Sequence, residues 1–202
     1  MRRFRGRDGP NCRAIVAGAS GAIGELCARA LAGDKVELVL VDIDRMMVNR
    51  LAEQLGAHAH GLDVLSDASV RQFMRSIDDR PMCGNLLVNA AGAGYVRTLG
   101  MTRMTSAFAK LVRASSSTVV NIASPGPQRD PYRHAGSQLG FHRAAEDLAS
   151  AINRPDMQVL TFGTADPPHL ILDALRQWQS LCTASVQTGW NSSLALRAGG
   201  RQ

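Results

Sequence analysis

The sequence predicts an α/β fold: a single, doubly wound parallel sheet with helices packed on both of its faces. Short apolar runs alternate along the chain with longer amphipathic segments, which is the pattern of repeated strand–helix–strand units. The apolar runs are nearly continuous, as expected for parallel strands that are buried on both faces. At 202 residues the chain is long enough to form one domain with a substantial core.

Six segments have the composition of buried strands. Each is a short run rich in Val, Ile, Leu or Ala, and turn-forming residues bound most of them. In chain order these predicted strands are 14–18, 36–42, 85–92, 117–124, 157–163 and 192–197.

Six longer segments are predicted as helices because their apolar residues recur at helical spacing. Gly56 is expected to end the second helix, and Ser66 or Asp67 to cap the third. In chain order the predicted helices are 22–32, 45–56, 66–77, 103–114, 135–152 and 171–181.

The net charge of +6 belongs mostly to the N-terminal segment. Residues 1–13 hold five arginines and one aspartate, which leaves 18 basic and 16 acidic residues in the rest of the chain. We therefore expect residues 1–13 to form a flexible, solvated Arg-rich arm and 14–202 to form the folded domain. Nucleic-acid binding is disfavoured because the body is nearly neutral, and no apolar run approaches the ~18 residues that a membrane span needs.

The cysteines and histidines show no metal-ligand spacing. The four cysteines lack a CxxC pair, and the five histidines form no cluster, so no metal site is expected. This pattern favours reduced thiols and a cytoplasmic location.

A glycine-rich motif, "GASGAIG" (18–24), joins the first predicted strand to the first predicted helix. Gly18 permits a tight turn, Gly21 lets the backbone approach a diphosphate, and Gly24 allows the helix to pack closely on the strand. The alternative is an ordinary glycine-rich turn without a ligand.

Asp42 ends the second predicted strand, 18 residues after Gly24. A carboxylate there can accept hydrogen bonds from both ribose hydroxyls and repels a 2′-phosphate, so the sequence favours NAD(H) over NADP(H). The alternative role, capping of the next helix, suits Asp44 better than Asp42.

In this order the motifs resemble those of the short-chain dehydrogenase/reductase family. "GASGAIG" is similar to the family's nucleotide loop, Asp42 to its ribose ligand, and "LDV" (62–64) to its adenine contact. "NAAG" (89–92) is similar to its Asn-Asn-Ala-Gly motif, "VVNIAS" (119–124) to the strand that carries its active-site serine, and "LCTASVQTGW…AGG" to its closing segment. The glycines, at the first, fourth and seventh positions of the loop, are more like those of the family's extended or atypical branches.

The resemblance implies a Rossmann-type three-layer αβα domain that binds a nicotinamide dinucleotide. It implies cofactor contacts from thirteen residues: Gly18, Ser20, Gly21, Ile23, Gly24, Asp42, Ile43, Asp63, Val64, Asn89, Ala90, Ala91 and Gly92.

The family's catalytic pair is missing. The resemblance implies hydride transfer in which a tyrosine, four residues before a lysine on one helix, transfers the proton, while a serine orients the substrate. Ser124 occupies the serine position, but alignment of "HAGSQLGFHRAAEDLA" (134–149) places His134 and Gln138 where the tyrosine and lysine belong. No other register restores the pair, because both tyrosines lack a lysine four residues later and no lysine follows Lys110.

Other parts of the family's reaction machinery are reduced. The segment between Gly92 and Asn121 is about twenty residues shorter than usual and contains no asparagine for the family's proton relay. Thr164 and Ala165 replace the Pro-Gly after the predicted strand 157–163, and little chain remains for a lid over the substrate.

Four functions remain open. The first is an NAD(H)-binding protein of oxidoreductase ancestry whose family-type activity is weak or lost. The second is an active oxidoreductase that uses Ser124 and His134, oriented by Gln138, on a small carbonyl or alcohol, since an imidazole transfers protons near neutral pH without a neighbouring ammonium. The third is a nucleotide-responsive regulator or partner protein, and the fourth is a decayed product without selected activity. The family also implies a homodimer through its two long helices, an expectation that the predicted short helix 103–114 weakens.

Overall fold

The computed structural model describes residues 12–77, 82–92, 94–112, 117–123, 131–163 and 166–188. Within these residues the chain forms six parallel strands in the order β3-β2-β1-β4-β5-β6. The strands are β1 (Cys12–Ala17), β2 (Val36–Asp42), β3 (His58–Gly61), β4 (Gly84–Asn89), β5 (Ser117–Ile122) and β6 (Met157–Phe162). The helices are α1 (Ala22–Leu31), α2 (Arg45–Leu55), α3 (Asp67–Ser76), α4 (Gly94–Leu111), α5 (Pro131–Ile152) and α6 (Pro168–Thr188).

This arrangement confirms the predicted doubly wound fold with three layers. Alternate residues of each strand point to opposite faces of the sheet: Val16 packs into one apolar cluster, with side chains of α1, α2 and α6. Its neighbour Ile15 packs into a second cluster, with side chains of α3 and α4. The strand order reverses beside β1, because β2 lies on one side of it and β4 on the other. A reversal of this kind leaves a crevice at the carboxyl ends of the strands, where ligands of such sheets bind.

The strand register brings three loops together at that crevice. Ala17, the last residue of β1, is level with Val41 of β2 and Asn89 of β4. The Ala90 amide continues the ladder by donating to the Ala17 carbonyl over 2.9 Å. The turns that follow β1, β2 and β4 are therefore neighbours at one edge of the sheet.

Several element boundaries differ from the sequence-based prediction. β3 was not predicted as a strand because it is short, half-exposed and lies at the edge of the sheet, so it has no apolar run. α4 begins at Gly94 rather than at 103, so the expectation of a shortened helix was wrong; two glycines and weak amphipathicity conceal its first turns. α6 extends beyond the predicted 171–181 at both ends.

The two ends of the chain leave two predictions open. β1 includes Cys12 and Arg13, whose guanidinium donates to Glu37 of β2 at 3.0 Å. The arm predicted over 1–13 therefore overlaps this strand, and residues 1–11 lie outside the described residues. The predicted strand 192–197 also lies outside them.

Cys12 and Cys182 form a disulfide that joins the start of β1 to α6, with 6.1 Å between their Cα atoms. The expectation that all four cysteines are reduced was wrong, because the two residues are 170 positions apart in sequence and meet only in the folded domain. Cys27 is a buried free thiol, and burial raises its pKa to about 12. Cys83 is a half-buried free thiol.

The described residues lack both a membrane-spanning helix and a cluster of metal-binding side chains. They contain no helix that is long and apolar enough to cross a membrane. They also contain no group of three or more histidine, cysteine or acidic side chains placed to hold a metal ion.

We expect reduction of the disulfide to destabilise the protein. A cross-link between residues this far apart removes much chain entropy from the unfolded state, and its loss typically costs roughly 2–5 kcal/mol. The melting temperature should fall by about 5–15 °C on adding a reducing agent, measured by circular dichroism. Cys83→Ser serves as the matched control and should keep this sensitivity, whereas Cys12→Ser should abolish it. An unreduced wild-type protein in which iodoacetamide labels Cys12 after denaturation would contradict the cross-link.

Candidate cofactor site and reaction end

The turn after β1 requires glycine at Gly18. Its φ is +80°, a conformation that side chains disfavour. A Cβ there would also lie 2.5 Å from the backbone of Ala91, in the loop after β4. The Gly18 amide donates to the Val41 carbonyl at 2.9 Å, which fixes the turn against the end of β2.

Gly24 brings α1 into direct contact with this turn. A Cβ on Gly24 would lie 1.9 Å from the Gly18 carbonyl oxygen, so any side chain would push the helix away from the strand. The start of α1 is therefore held over the end of β1.

Gly21 differs from the other two glycines because the protein itself does not require it. Its φ is −75°, and an added Cβ would make only an ordinary contact of 3.4 Å with the Gly18 carbonyl. Gly21 is exposed and caps α1 without a side-chain hydrogen bond. A bare backbone at a helix N-terminus suits the close approach of an anion, to which the first amides of the helix can donate.

Asp42 joins the end of β2 to the glycine turn. One carboxylate oxygen accepts from the Ser20 amide at 3.0 Å, and the other accepts from the Asp44 amide at 3.1 Å. Asp44 instead caps α2 by accepting from the amides of Met46 and Met47. The capping role that was considered for these aspartates therefore belongs to Asp44.

A cavity of about 280 Å³ opens at the carboxyl ends of β1, β2 and β4. Its lining combines backbone of the glycine turn, the Asp42 carboxylate and apolar side chains, three of which are notably exposed: Ile43 (73%), Leu65 (37%) and Val96 (38%). Exposed apolar side chains beside a fixed carboxylate suit a flat base attached to a sugar.

Ten of the thirteen predicted cofactor residues line this cavity: Gly18, Ser20, Gly21, Asp42, Ile43, Asp63, Val64, Ala90, Ala91 and Gly92. Three further lining residues are absent from that set: Leu62, which belongs to the "LDV" motif (62–64), Leu65, and Val96, which lies in the unpredicted first turns of α4.

The three remaining predicted residues lie beneath the cavity. Gly24 packs under the turn and Ile23 packs against the apolar core. Asn89 is buried, and its amide donates to Thr105 of α4 at 3.0 Å and to Asn121 of β5 at 2.9 Å. Asn89 therefore ties β4 to β5 and α4.

The predicted catalytic residues are described only in part. Ser124 lies outside the described residues. His134 and Gln138 lie on α5, one turn apart, and their side chains are outside the described part of the structure. The residue before Ser124, Ala123, is buried and packs with Phe141 of α5 and Met101 of α4.

The carboxyl ends of β5 and β6, together with α4 and α5, are called the reaction end below. A buried arginine, Arg97, lies there. Its guanidinium carbon is 5.1 Å from the ring centroid of Phe141, a cation–π contact, and the residue is 3% exposed. Burial lowers the pKa of Arg97 from its ordinary value, although a guanidinium remains charged at neutral pH. Sequence reasoning missed Arg97 because nothing in its local pattern distinguishes it from a surface arginine.

Comparison with known proteins identifies the family. A family model described as Enoyl-(Acyl carrier protein) reductase matches residues 17–127. The chain belongs to the short-chain dehydrogenase/reductase family. Over 182 residues it is 23% identical to an uncharacterized oxidoreductase of Staphylococcus epidermidis, covering 77% of this chain and 78% of that protein.

Solved structures of this family share the fold. A short-chain dehydrogenase from Streptomyces avermitilis superposes with a TM-score of 0.63 at 21% identity, covering 78% of this chain and 66% of that one. An alcohol dehydrogenase from the archaeon Thermococcus sibiricus, complexed with 5-hydroxy-NADP, superposes with a TM-score of 0.62 at 25% identity. That match covers 84% of this chain and 90% of the archaeal one.

We expect Gly24→Ala to destabilise the domain and open the glycine turn. The added methyl group overlaps the Gly18 carbonyl oxygen, which should cost about 3 kcal/mol and lower the melting temperature by about 6–12 °C. Gly33→Ala is the matched control, because an added Cβ there meets nothing within 4 Å. Equal melting temperatures for the two variants would show that α1 does not press on the turn.

Proposed function

We propose that this protein binds NAD(H) at the glycine turn and that its family-type hydride-transfer activity is weak or lost. The observation that carries the binding half is the Asp42 carboxylate, which two backbone amides fix beside a glycine turn with an uncapped helix N-terminus. The proposal that hydride transfer is weak or lost is supported by the absence of a Tyr-x-x-x-Lys pair from the sequence.

The residues present fit a dinucleotide. The first amides of α1 would hold the diphosphate, the Asp42 carboxylate would accept from the ribose hydroxyls, and Ile43, Val64 and Leu65 would enclose the adenine. When bound, the nicotinamide supplies the acceptor or donor of the hydride.

The preference for NAD(H) rests on charge. In the proposed binding mode a 2′-phosphate would lie beside the Asp42 carboxylate, and two negative groups so close repel each other. Arg45 is a competing feature: its side chain lies against Gly61, which pairs with Asp42 in the sheet, so one cation is available near that position. The archaeal relative was solved with an NADP derivative. We give more weight to Asp42 because backbone hydrogen bonds hold both of its oxygens in place.

The weak or lost activity follows from what replaces the family's proton donor. A phenol has a pKa near 10 and needs a neighbouring cation to lose its proton at neutral pH. Here histidine and glutamine occupy the two aligned positions, so the family's phenolate cannot form. The alternative with Ser124 and His134 as working residues predicts that His134→Ala lowers turnover at least tenfold while the affinity for NAD⁺ is unchanged.

A cytoplasmic location remains part of this proposal, as does pairing through α4 and α5. The Cys12–Cys182 disulfide counts against the location, because cytosolic reductants normally keep thiols reduced. The predicted short helix 103–114 weakened the expectation of a homodimer. Because α4 is longer than predicted (Gly94–Leu111), this argument against a homodimer no longer applies.

Calorimetric titration should show binding of NAD⁺ that is at least tenfold tighter than binding of NADP⁺. Asp42→Asn should weaken NAD⁺ binding about tenfold, which corresponds to loss of about 1.4 kcal/mol from charge-assisted hydrogen bonds, and should strengthen NADP⁺ binding. Asp34→Asn is the matched control, because it removes the same charge from an exposed residue before β2. Absence of heat with either coenzyme, confirmed by an unchanged melting temperature, would overturn the proposal.

A further inference from the structure

A histidine and an aspartate both lie close to Gly163, at the carboxyl end of β6. A Cβ on Gly163 would lie 3.2 Å from the Nε2 atom of His142 on α5 and 3.6 Å from the Oδ2 atom of Asp166. Both atoms therefore lie near the same point, where one water molecule can bridge them. Gly163 leaves the space that the imidazole occupies.

The carboxylate of this pair is held in place by the backbone. Asp166 accepts a hydrogen bond from the Gly163 amide at 2.7 Å through Oδ2, the same oxygen that lies near the position of a Gly163 Cβ. A fixed carboxylate beside an imidazole can orient the ring and stabilise its protonated form, as in acid–base pairs of enzymes.

The pair lies at the reaction end rather than at the adenosine side. The Ala123 amide donates to the Phe162 carbonyl at 2.9 Å, so the residue before Ser124 is level with the residue before Gly163. His142 adjoins Phe141, whose ring packs near Ala123 and under the Arg97 guanidinium. On α5, His142 follows Gln138 by one turn, so the two positions share a face of the helix.

We propose that His142 and Asp166 carry the proton transfer of the weak oxidoreductase activity that remains in this protein, and that its substrate is a small alcohol or carbonyl compound. In the oxidative direction the O–H proton of the alcohol passes to the His142 imidazole. When bound, the oxidised nicotinamide would accept the hydrogen together with the electron pair of the breaking C–H bond, so that the carbon would become a carbonyl. The imidazolium, stabilised by Asp166, then releases its proton to solvent, and reduction follows the reverse course.

This proposal rests on the proposed function, because it needs a nicotinamide dinucleotide as the redox partner. It differs from the alternative that uses Ser124 and His134 in assigning the proton to a histidine with a carboxylate beside it. It needs no residue at the family's lysine position, since the orienting charge comes from the loop after β6.

The pairing and its location can be tested by nuclear magnetic resonance of the imidazole nitrogens. The His142 signals are identified by their loss in His142→Gln, and His169→Gln, an exposed histidine at the start of α6, is the matched control. Asp166→Asn should shift the His142 nitrogen signals. Titration with NAD⁺ should shift them as well, whereas ADP-ribose, which lacks the nicotinamide, should leave them nearly unchanged. His169 should respond to neither.

The role in proton transfer is tested by consumption of NADH with acetone, propanal and butane-2,3-dione. His142→Gln should lower kcat/KM at least tenfold, Asp166→Asn about as much, and neither should change the Kd for NADH more than twofold. His169→Gln should match the wild type. Unchanged turnover in His142→Gln, or a wild-type protein that binds NADH but consumes it with none of these compounds, overturns the pair's role.

The two proposals fail in distinguishable ways. If neither NAD⁺ nor ADP-ribose binds, the cofactor proposal fails and the proton-transfer pair fails with it. If both bind and the His142 signals respond equally to each, binding at the glycine turn stands and the pair at the nicotinamide is wrong.

Discussion

The contact between the Gly24 backbone and the Gly18 carbonyl oxygen is the constraint on which the rest of the site depends. With no side chain at either position, α1 starts directly above the end of β1 and its first amides face the crevice where the strand order reverses. If α1 packed farther from the end of β1, its first amides would lie farther from Asp42 and from the loop after β4. The geometry of the cavity is therefore set by backbone packing before any binding side chain is considered.

Strand register places the remaining parts around that contact. Since β1, β2 and β4 end at the same level, Asp42 and Ala91 lie on either side of the glycine turn. The oxygens of Asp42 hold the turn through backbone amides, and in the proposed function the same carboxylate would also accept from a sugar. A group fixed in this way loses little freedom on binding, which favours affinity through preorganisation.

Sequence reasoning predicted the parts of this protein that local chemistry determines. Buried parallel strands, the glycine turn and the helix cap at Asp44 all have signals within a few residues. No such local signal exists for the disulfide of Cys12, for the burial of Arg97 or for the approach of His142 and Asp166 to Gly163. Each of these depends on elements that are distant in sequence. The first turns of α4 were missed because two glycines and a weak apolar stripe conceal a helix that tertiary packing stabilises.

The two halves of the site are under different physical demands, which explains how one can change while the other is kept. The proposed NAD(H) binding needs backbone amides and a carboxylate in fixed positions, so loss of Gly24 or Asp42 would weaken it. Proton transfer needs only a group of suitable acidity near the substrate oxygen, and an ordinary imidazole titrates near neutral pH whereas a phenol does not. A chain that moves the proton with histidine has no further need of a lysine to lower the pKa of a tyrosine. In the proposed arrangement the loss of both residues is then a single change of chemistry rather than two separate defects.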